Sequence, residues 1–315
     1  MTNIVVWSAF RTSADAVRAQ FPDDRVVGIA DESGLGAAAD AEVAFSGNNP
    51  RRARQLIDAT PKLRWYHTVS AGVENMPLAE LAQRRIVLTN NSGSYDVQIA
   101  EHLMMFVFAA SRQLHLYRDQ QRSRIWKDQR QQELRDATIV VYGMGSIGGE
   151  VARLASAIGM RVIGVRRKAA SRQAGVDRVV PPEQLADVVG EADYLAITAP
   201  LTPATRGAIS REVIARMKPS GWIVNIARGA IIDEAALVEA LHDKRIAGAG
   251  LDVFATEPLP PDHPFWTMDN VMITPHSSGD SPRVGERTMA LFAENLRRYK
   301  AGEPLLNQVD LVQGY

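Results

Sequence analysis

The stretch that most constrains this chain is Gly143-Met144-Gly145-Ser146-Ile147-Gly148, set between two short apolar runs at residues 138–142 and 160–165. Between the runs, Ile147, Val151, Leu154, Ala155 and Ile158 recur at helical spacing. Strand, glycine turn, helix, strand is the context in which this glycine spacing means dinucleotide binding. Gly143 permits the tight turn, Gly145 lets the backbone approach a pyrophosphate, and Gly148 lets the helix lie close to the strand. Ser146 and Ile147 open the helix, where free N–H groups meet phosphate charge. The end of the second strand then selects the dinucleotide. An acidic residue there usually accepts the ribose hydroxyls of NAD, but Arg166 and Arg167 occupy the position. Guanidinium groups pair bidentately with a 2′-phosphate that a carboxylate would repel. NADP is therefore the expected cofactor, with NAD the second choice.

At 315 residues the chain has room for two domains and a substantial core. Its formal net charge is zero, so it lacks the basic footprint of a nucleic-acid binder. No apolar run approaches the roughly 18 residues of a membrane span. Residues 1–7 lack the basic flank and long apolar region of a signal peptide and read as a first strand. There is no cysteine, which excludes disulfides, thiolate catalysis and cysteine-held metal. These features together predict a cytoplasmic protein with no metal, membrane or nucleic-acid partner.

Residues 1–96 alternate apolar runs (4–7, 26–29, 43–45, 63–68 and 86–89) with helical patterns near 13–20, 51–59 and 77–83. Such alternation implies a parallel sheet covered by helices. The loop from Thr68 to Asn75 is built of small residues just past a strand end. Its exposed backbone N–H groups suit an anion such as a carboxylate. Residues 90–96 are polar and turn-rich and read as a domain boundary. One long helix is expected from about 97 to 119, apolar around so much of its surface that it must be buried between layers or against a second subunit. Residues 118–135 read as a solvated connection anchored by Trp126. Further strands fall at 194–198, 222–226, 248–253 and 271–274, with helices near 182–190, 211–217 and 233–242. A last amphipathic helix at about 282–300 can cross back to the first domain. The expected fold class is α/β: two doubly wound parallel-sheet domains. One domain is residues 1–96 plus about 283–315; the other is 97–282.

Three residues stand at or just past strand ends in the second domain, where ligands bind in such sheets. They are Arg228, Glu257 and His276. Each alone could be structural. As a set beside a nicotinamide, they fit hydride transfer to a 2-keto acid. Arg228 can clamp the carboxylate bidentately and polarise the carbonyl. His276 can give a proton in reduction and take one in oxidation. Glu257, hydrogen-bonded to His276, would favour the imidazolium.

Five segments arriving in order carry a family resemblance. They are the Gly143–Gly148 motif, the run from Ala199 to Arg206, the run from Val224 to Glu234, the run from Gly250 to Pro258, and Thr274-Pro275-His276. The second half of the chain resembles the D-isomer-specific 2-hydroxyacid dehydrogenases, a family that includes glyoxylate/hydroxypyruvate reductases. The first domain is similar more loosely, through residues 70–75 and the Ala100-Glu101-His102 helix start.

The resemblance implies a Rossmann dinucleotide domain, a flavodoxin-like substrate domain and an active site in the cleft between them. It implies Arg228, Glu257 and His276 as the catalytic set, and Ala71 and Gly72 as amide donors to the substrate carboxylate. Ala199, Pro200, Thr205, Ile226 and Ser278 would line the cofactor, with Asp252 holding its carboxamide. It further implies a homodimer built on the helix after the boundary, and a small 2-keto or 2-hydroxy acid substrate of the glyoxylate or hydroxypyruvate kind. Ser277-Ser278-Gly279-Asp280 departs from the family pattern beside the substrate, which leaves the acid open. Two alternatives stand: a dinucleotide-sensing corepressor-like protein, and a formate- or phosphite-type dehydrogenase of the same family.

Overall fold

The computed structural model describes residues 1–7, 13–167 and 174–314. They form two compact units, Met1–Tyr95 with Ser281–Tyr315, and Asp96–Asp280. Among the described residues, one unit carries a sheet of five parallel strands and the other a sheet of seven.

The first unit runs β1 (Asn3–Trp7), α1 (Ala14–Gln20), β2 (Arg25–Ile29), β3 (Val43–Ser46), α2 (Pro50–Ala59), β4 (Trp65–Thr68), α3 (Leu78–Gln83) and β5 (Val87–Thr89). Its strand order is β2-β1-β3-β4-β5, the flavodoxin-like doubly wound arrangement. Side chains alternate across the sheet because the strand period is two. Val5, Trp7, Ala44, Tyr66 and Leu88 therefore face one way, against Ala53, Leu56 and Ile57 of α2. Ile4, Val6, Val43, Phe45 and Trp65 face the other.

The second unit opens with α4 (Asp96–Ser111) and α5 (Leu114–Ser123). It continues β6 (Thr138–Tyr142), α6 (Ser146–Ala157), β7 (Arg161–Val165), β8 (Arg178–Val180), α7 (Leu185–Val188), β9 (Tyr194–Ile197), α8 (Arg211–Arg216), β10 (Trp222–Asn225), α9 (Glu234–His242), β11 (Gly248–Leu251) and β12 (Val271–Ile273). The order β12-β11-β10-β9-β6-β7-β8 reverses direction at the β6/β9 junction. The single helix expected at 97–119 is instead two. Ser111 Oγ donates to Phe108 O and Gln113 Nε2 to Ala110 O, so side chains claim carbonyls at the end of α4. Gln113 then turns left-handed at φ 55°. The connection beyond α5 differs too: Trp126 is fully exposed and anchors nothing among the described residues. The helix expected at 182–190 shrinks to α7 flanked by 3-10 turns.

The chain then returns to the first unit with α10 (Val284–Ala301). Phe292 and Leu296 of α10 cover the Ile4–Val6–Phe45–Trp65 face, and Phe292 stacks on Phe45 at 4.1 Å with the rings 6° apart. Truncating a core phenylalanine of this kind costs about 3–5 kcal/mol. No helix among the described residues is long and apolar enough to cross a membrane.

That aromatic layer encloses His67 of β4, which is fully buried among Phe45, Trp65 and Phe292. Its Nδ1 lies 2.7 Å from Thr89 Oγ1, while Nε2 has no partner among the described residues. Burial pushes its pKa from 6.5 down to about 3. Below pH 6.5 the unfolded imidazole gains a proton that the folded one refuses, so stability is full above 6.5 and is lost as pH falls toward 3. The contribution is at most about 1.4 kcal/mol per pH unit. Urea unfolding of wild type and His67→Phe at pH 7, 6, 5 and 4 should show the steeper loss in wild type. Parallel curves would remove this histidine from the account.

Candidate active site

The β6/β9 junction is where a doubly wound sheet opens a crevice at the carboxyl ends of its strands. Two loops meet there so closely that side chains are excluded. A Cβ on Gly143 (φ 106°) would sit 2.4 Å from Ala199 N, and one on Gly148 would sit 2.0 Å from Gly143 O. Thr198 Oγ1 locks the contact by donating to Gly143 O at 2.6 Å. Gly145 differs from both. A Cβ there would meet nothing within 4 Å, and no side chain caps the amino end of α6 behind it. The chain's own packing does not call for glycine at 145. A phosphate group approaching the backbone at Ser146 and Ile147 does, and the residues present fit a dinucleotide.

Around the same junction, Ala199 is buried and Pro200 exposed. Thr205 Oγ donates to Pro200 O at 2.6 Å and accepts from Thr202 N at 2.8 Å, closing the turn. Arg166 and Arg167 follow β7 directly, the strand beside β6. Ile226 is buried at the end of β10.

Arg228, Glu257 and His276 follow three adjacent strands, β10, β11 and β12. Strand spacing of about 4.8 Å puts the outer two strand axes roughly 10 Å apart, the span of a small organic acid and its contacts. Asn225 shapes the first turn: its Oδ1 accepts from Ala227 N and its Nδ2 donates to Arg228 O, both at 3.0 Å. The Arg228 guanidinium donates to Ala227 O at 2.6 Å. Glu257 Oε2 stands 2.6 Å from His276 Nδ1, and its Oε1 accepts from Phe254 N at 2.9 Å. The carboxylate is thus held by backbone on one side and orients the imidazole on the other. His276 adopts φ 51°, a left-handed conformation costing about 1–2 kcal/mol for such a residue. Its N–H donates to Asp252 O at 2.8 Å, which holds it there.

Asp252 has no exposed surface. Its Oδ1 accepts from Thr274 Oγ1 at 2.6 Å and Ser277 N at 2.9 Å, and its Oδ2 from Ser278 N at 3.0 Å. An ionised carboxylate only accepts, so the Thr274 proton points to it. His102 Nε2, 2.9 Å from Thr274 Oγ1, must then be the donor in that pair. Burial lowers the His102 pKa below its ordinary value, partly opposed by Asp252, so the ring is neutral near pH 7. His102 and Thr274 were not singled out as site residues by their sequence, because their roles are contacts across 172 and 22 positions, whereas Asn225 acts locally, on Ala227 and Arg228. Ala71 and Gly72 lie in the other unit, in the loop after β4.

Two glycine substitutions separate packing from ligand approach. Gly148→Ala should lower stability by about 1–3 kcal/mol through the clash with Gly143 O. Gly145→Val should melt as wild type does yet bind NADPH at least tenfold more weakly by fluorescence titration. Unchanged affinity in Gly145→Val would refute this location for the pyrophosphate.

Known proteins resemble this chain in sequence and in fold. Residues 104–278 match the model of the D-isomer specific 2-hydroxyacid dehydrogenase, NAD binding domain. The chain is 34% identical over 258 residues to a glyoxylate reductase of Korarchaeum cryptofilum, covering 79% of this chain and 76% of that one. It is 33% identical over 289 residues to a D-3-phosphoglycerate dehydrogenase of Methanocaldococcus jannaschii, covering 90% of this chain but only 54% of that longer protein. Among solved structures, an NADPH-dependent glyoxylate/hydroxypyruvate reductase from Sinorhizobium meliloti, in complex with NADP and sulfate, superposes with TM-score 0.85 at 28% identity, covering 100% of both chains. With its glycine crevice in the segment that the family model matches, the chain belongs to the D-isomer specific 2-hydroxyacid dehydrogenase family.

Proposed function

We propose that this enzyme reduces a small 2-keto acid of the glyoxylate or hydroxypyruvate kind to the D-2-hydroxy acid, with NADPH as the preferred reductant. The observation that carries the reading is the 2.6 Å Glu257–His276 pair beside Arg228, at the ends of adjacent strands. NADPH, when bound, supplies the hydride. The rest is done by side chains. Glu257 faces Nδ1, so that nitrogen carries its proton and Nε2 is left to deliver one to the developing alkoxide. Arg228 pairs with the substrate carboxylate and draws charge toward the carbonyl oxygen. Ala71 and Gly72 offer amide N–H groups to the same carboxylate. Asp252 and Ser278 keep the His276 loop in place; Asp252 would hold the carboxamide, and Ala199, Pro200, Thr205, Ile226 and Ser278 would line the cofactor.

Support for NADPH comes from Arg166 and Arg167, and from the NADP complex of the Sinorhizobium reductase. Support for a small substrate comes from that protein and from the Korarchaeum glyoxylate reductase. The same reading includes a homodimer through the outer face of α4. Val97, Met105 and Phe108 share one helical stripe there and remain exposed. Sedimentation of wild type and Phe108→Glu tests the dimer, which the charge should disrupt.

The assay is NADPH and NADH oxidation with glyoxylate, hydroxypyruvate, pyruvate and phenylpyruvate. Turnover should be faster with NADPH, and His276→Ala should lower kcat by about 10²–10⁴-fold. Replacing both Arg166 and Arg167 by serine should remove the NADPH preference while sparing NADH turnover. No turnover of any keto acid, or an active His276→Ala enzyme, would overturn the reading.

A further inference from the structure

The segment between β5 and α4 looked like a boundary turn, yet its donors converge on the loop after β4. Asn91 Nδ2 donates to Val69 O at 3.1 Å, and Tyr95 Oη donates to the same oxygen at 2.5 Å. Asn91 N donates to Ser70 O at 3.0 Å, and Asn90 Nδ2 to Ala71 O at 2.9 Å. Three successive carbonyls are thus all claimed from one side. The N–H groups of Ala71, Gly72 and Val73 have no acceptor among the described residues.

A loop with its acceptors saturated and consecutive donors open has a one-sided, positive polarity. Backbone donors left this way need water or a ligand. We propose that Asn90, Asn91 and Tyr95 are positioning residues for the substrate carboxylate: by pinning the carbonyls of residues 69–71, they hold the amides of residues 71–73 turned toward the anion. This rests on the functional reading above, in which Ala71 and Gly72 meet that carboxylate.

Each clamp residue is itself locked. Asn90 Oδ1 accepts from Ser92 N at 3.2 Å, which fixes its amide so that Nδ2 faces Ala71 O. Asn91 is fully buried, accepts from Ser94 Oγ at 2.9 Å and donates to Thr288 Oγ1 of α10 at 2.8 Å. An aspartate at 90 would keep the Ser92 contact. It would also set a carboxylate oxygen against Ala71 O, releasing the carbonyl and adding negative charge beside the anion. Asn90→Asp is therefore the informative variant. Tyr95→Phe removes one of two donors to Val69 O and should act more weakly.

The test is keto-acid kinetics together with calorimetric titration of oxamate, a non-reacting keto-acid mimic, with and without NADPH, on the full chain. Asn90→Asp should raise the keto-acid KM at least tenfold with kcat within about twofold, because a contact made equally in ground and transition states changes KM alone. Its KM for NADPH and its melting temperature should stay at wild-type values, and oxamate affinity should fall in parallel. Tyr95→Phe should raise the keto-acid KM by a smaller factor. Wild-type oxamate affinity in Asn90→Asp, absence of oxamate binding by wild type, or an equal rise in the NADPH KM would overturn the clamp. If wild type binds oxamate, Asn90→Asp does not, and no keto acid is turned over, the clamp stands and the functional reading falls. If His276→Ala is inactive while Asn90→Asp binds oxamate normally, the reverse holds.

Discussion

A carboxylate with no exposed surface must satisfy its charge within the protein, and the Asp252 carboxylate does so with donors from the loop after β12. Leaving such a charge unpaired would cost several kcal/mol, so Thr274, Ser277 and Ser278 are not free to wander. Its backbone extends the constraint in both directions. Asp252 N donates to Asn225 O at the end of β10, and Asp252 O accepts from the His276 N–H. One residue therefore ties together the turns that carry Arg228, Glu257 and His276. The left-handed backbone at His276 is affordable because this residue holds it from three sides.

Much of this site was legible because its chemistry is local. The glycine spacing, the paired arginines and the three groups at strand ends declare themselves in short stretches. Each alone could be structural, and it is their arrival together at strand ends that marks them. What stayed hidden depends on partners distant in sequence. His102 reads as an ordinary packed histidine until Thr274 appears beside it, 172 positions later. Residues 90–95 read as a polar turn because the carbonyls they serve lie about a strand and a helix upstream. The break between α4 and α5 was invisible for a different reason. The apolar pattern runs straight through Gln113, and only local side-chain bonds to Phe108 and Ala110 end the helix. Trp126 misled because a large apolar side chain implies burial that a single chain does not have to supply.

On the proposed reading, the two units recognise anions in different ways. At the amino end of α6 the backbone is left open by a residue without a side chain. In the loop after β4 it is turned outward because neighbouring side chains hold its carbonyls. Neither backbone array carries a formal positive charge of its own. A neutral donor array binds an anion without attracting every carboxylate in solution, and it leaves guanidinium groups for places where bidentate geometry matters.

The return of α10 to the first unit sets an order of events during synthesis. The face bearing Ile4, Val6, Phe45 and Trp65 is covered by Phe292 and Leu296, which leave the ribosome after the whole of Asp96–Asp280. At about 5–20 residues per second, that interval lasts roughly 10–40 s. By its end the second unit has every strand it needs, while the first still waits with an aromatic face bare. The later-made unit can thus be the earlier-folded one, and the nascent first sheet is the part most exposed to chaperones and to misassociation with neighbouring chains.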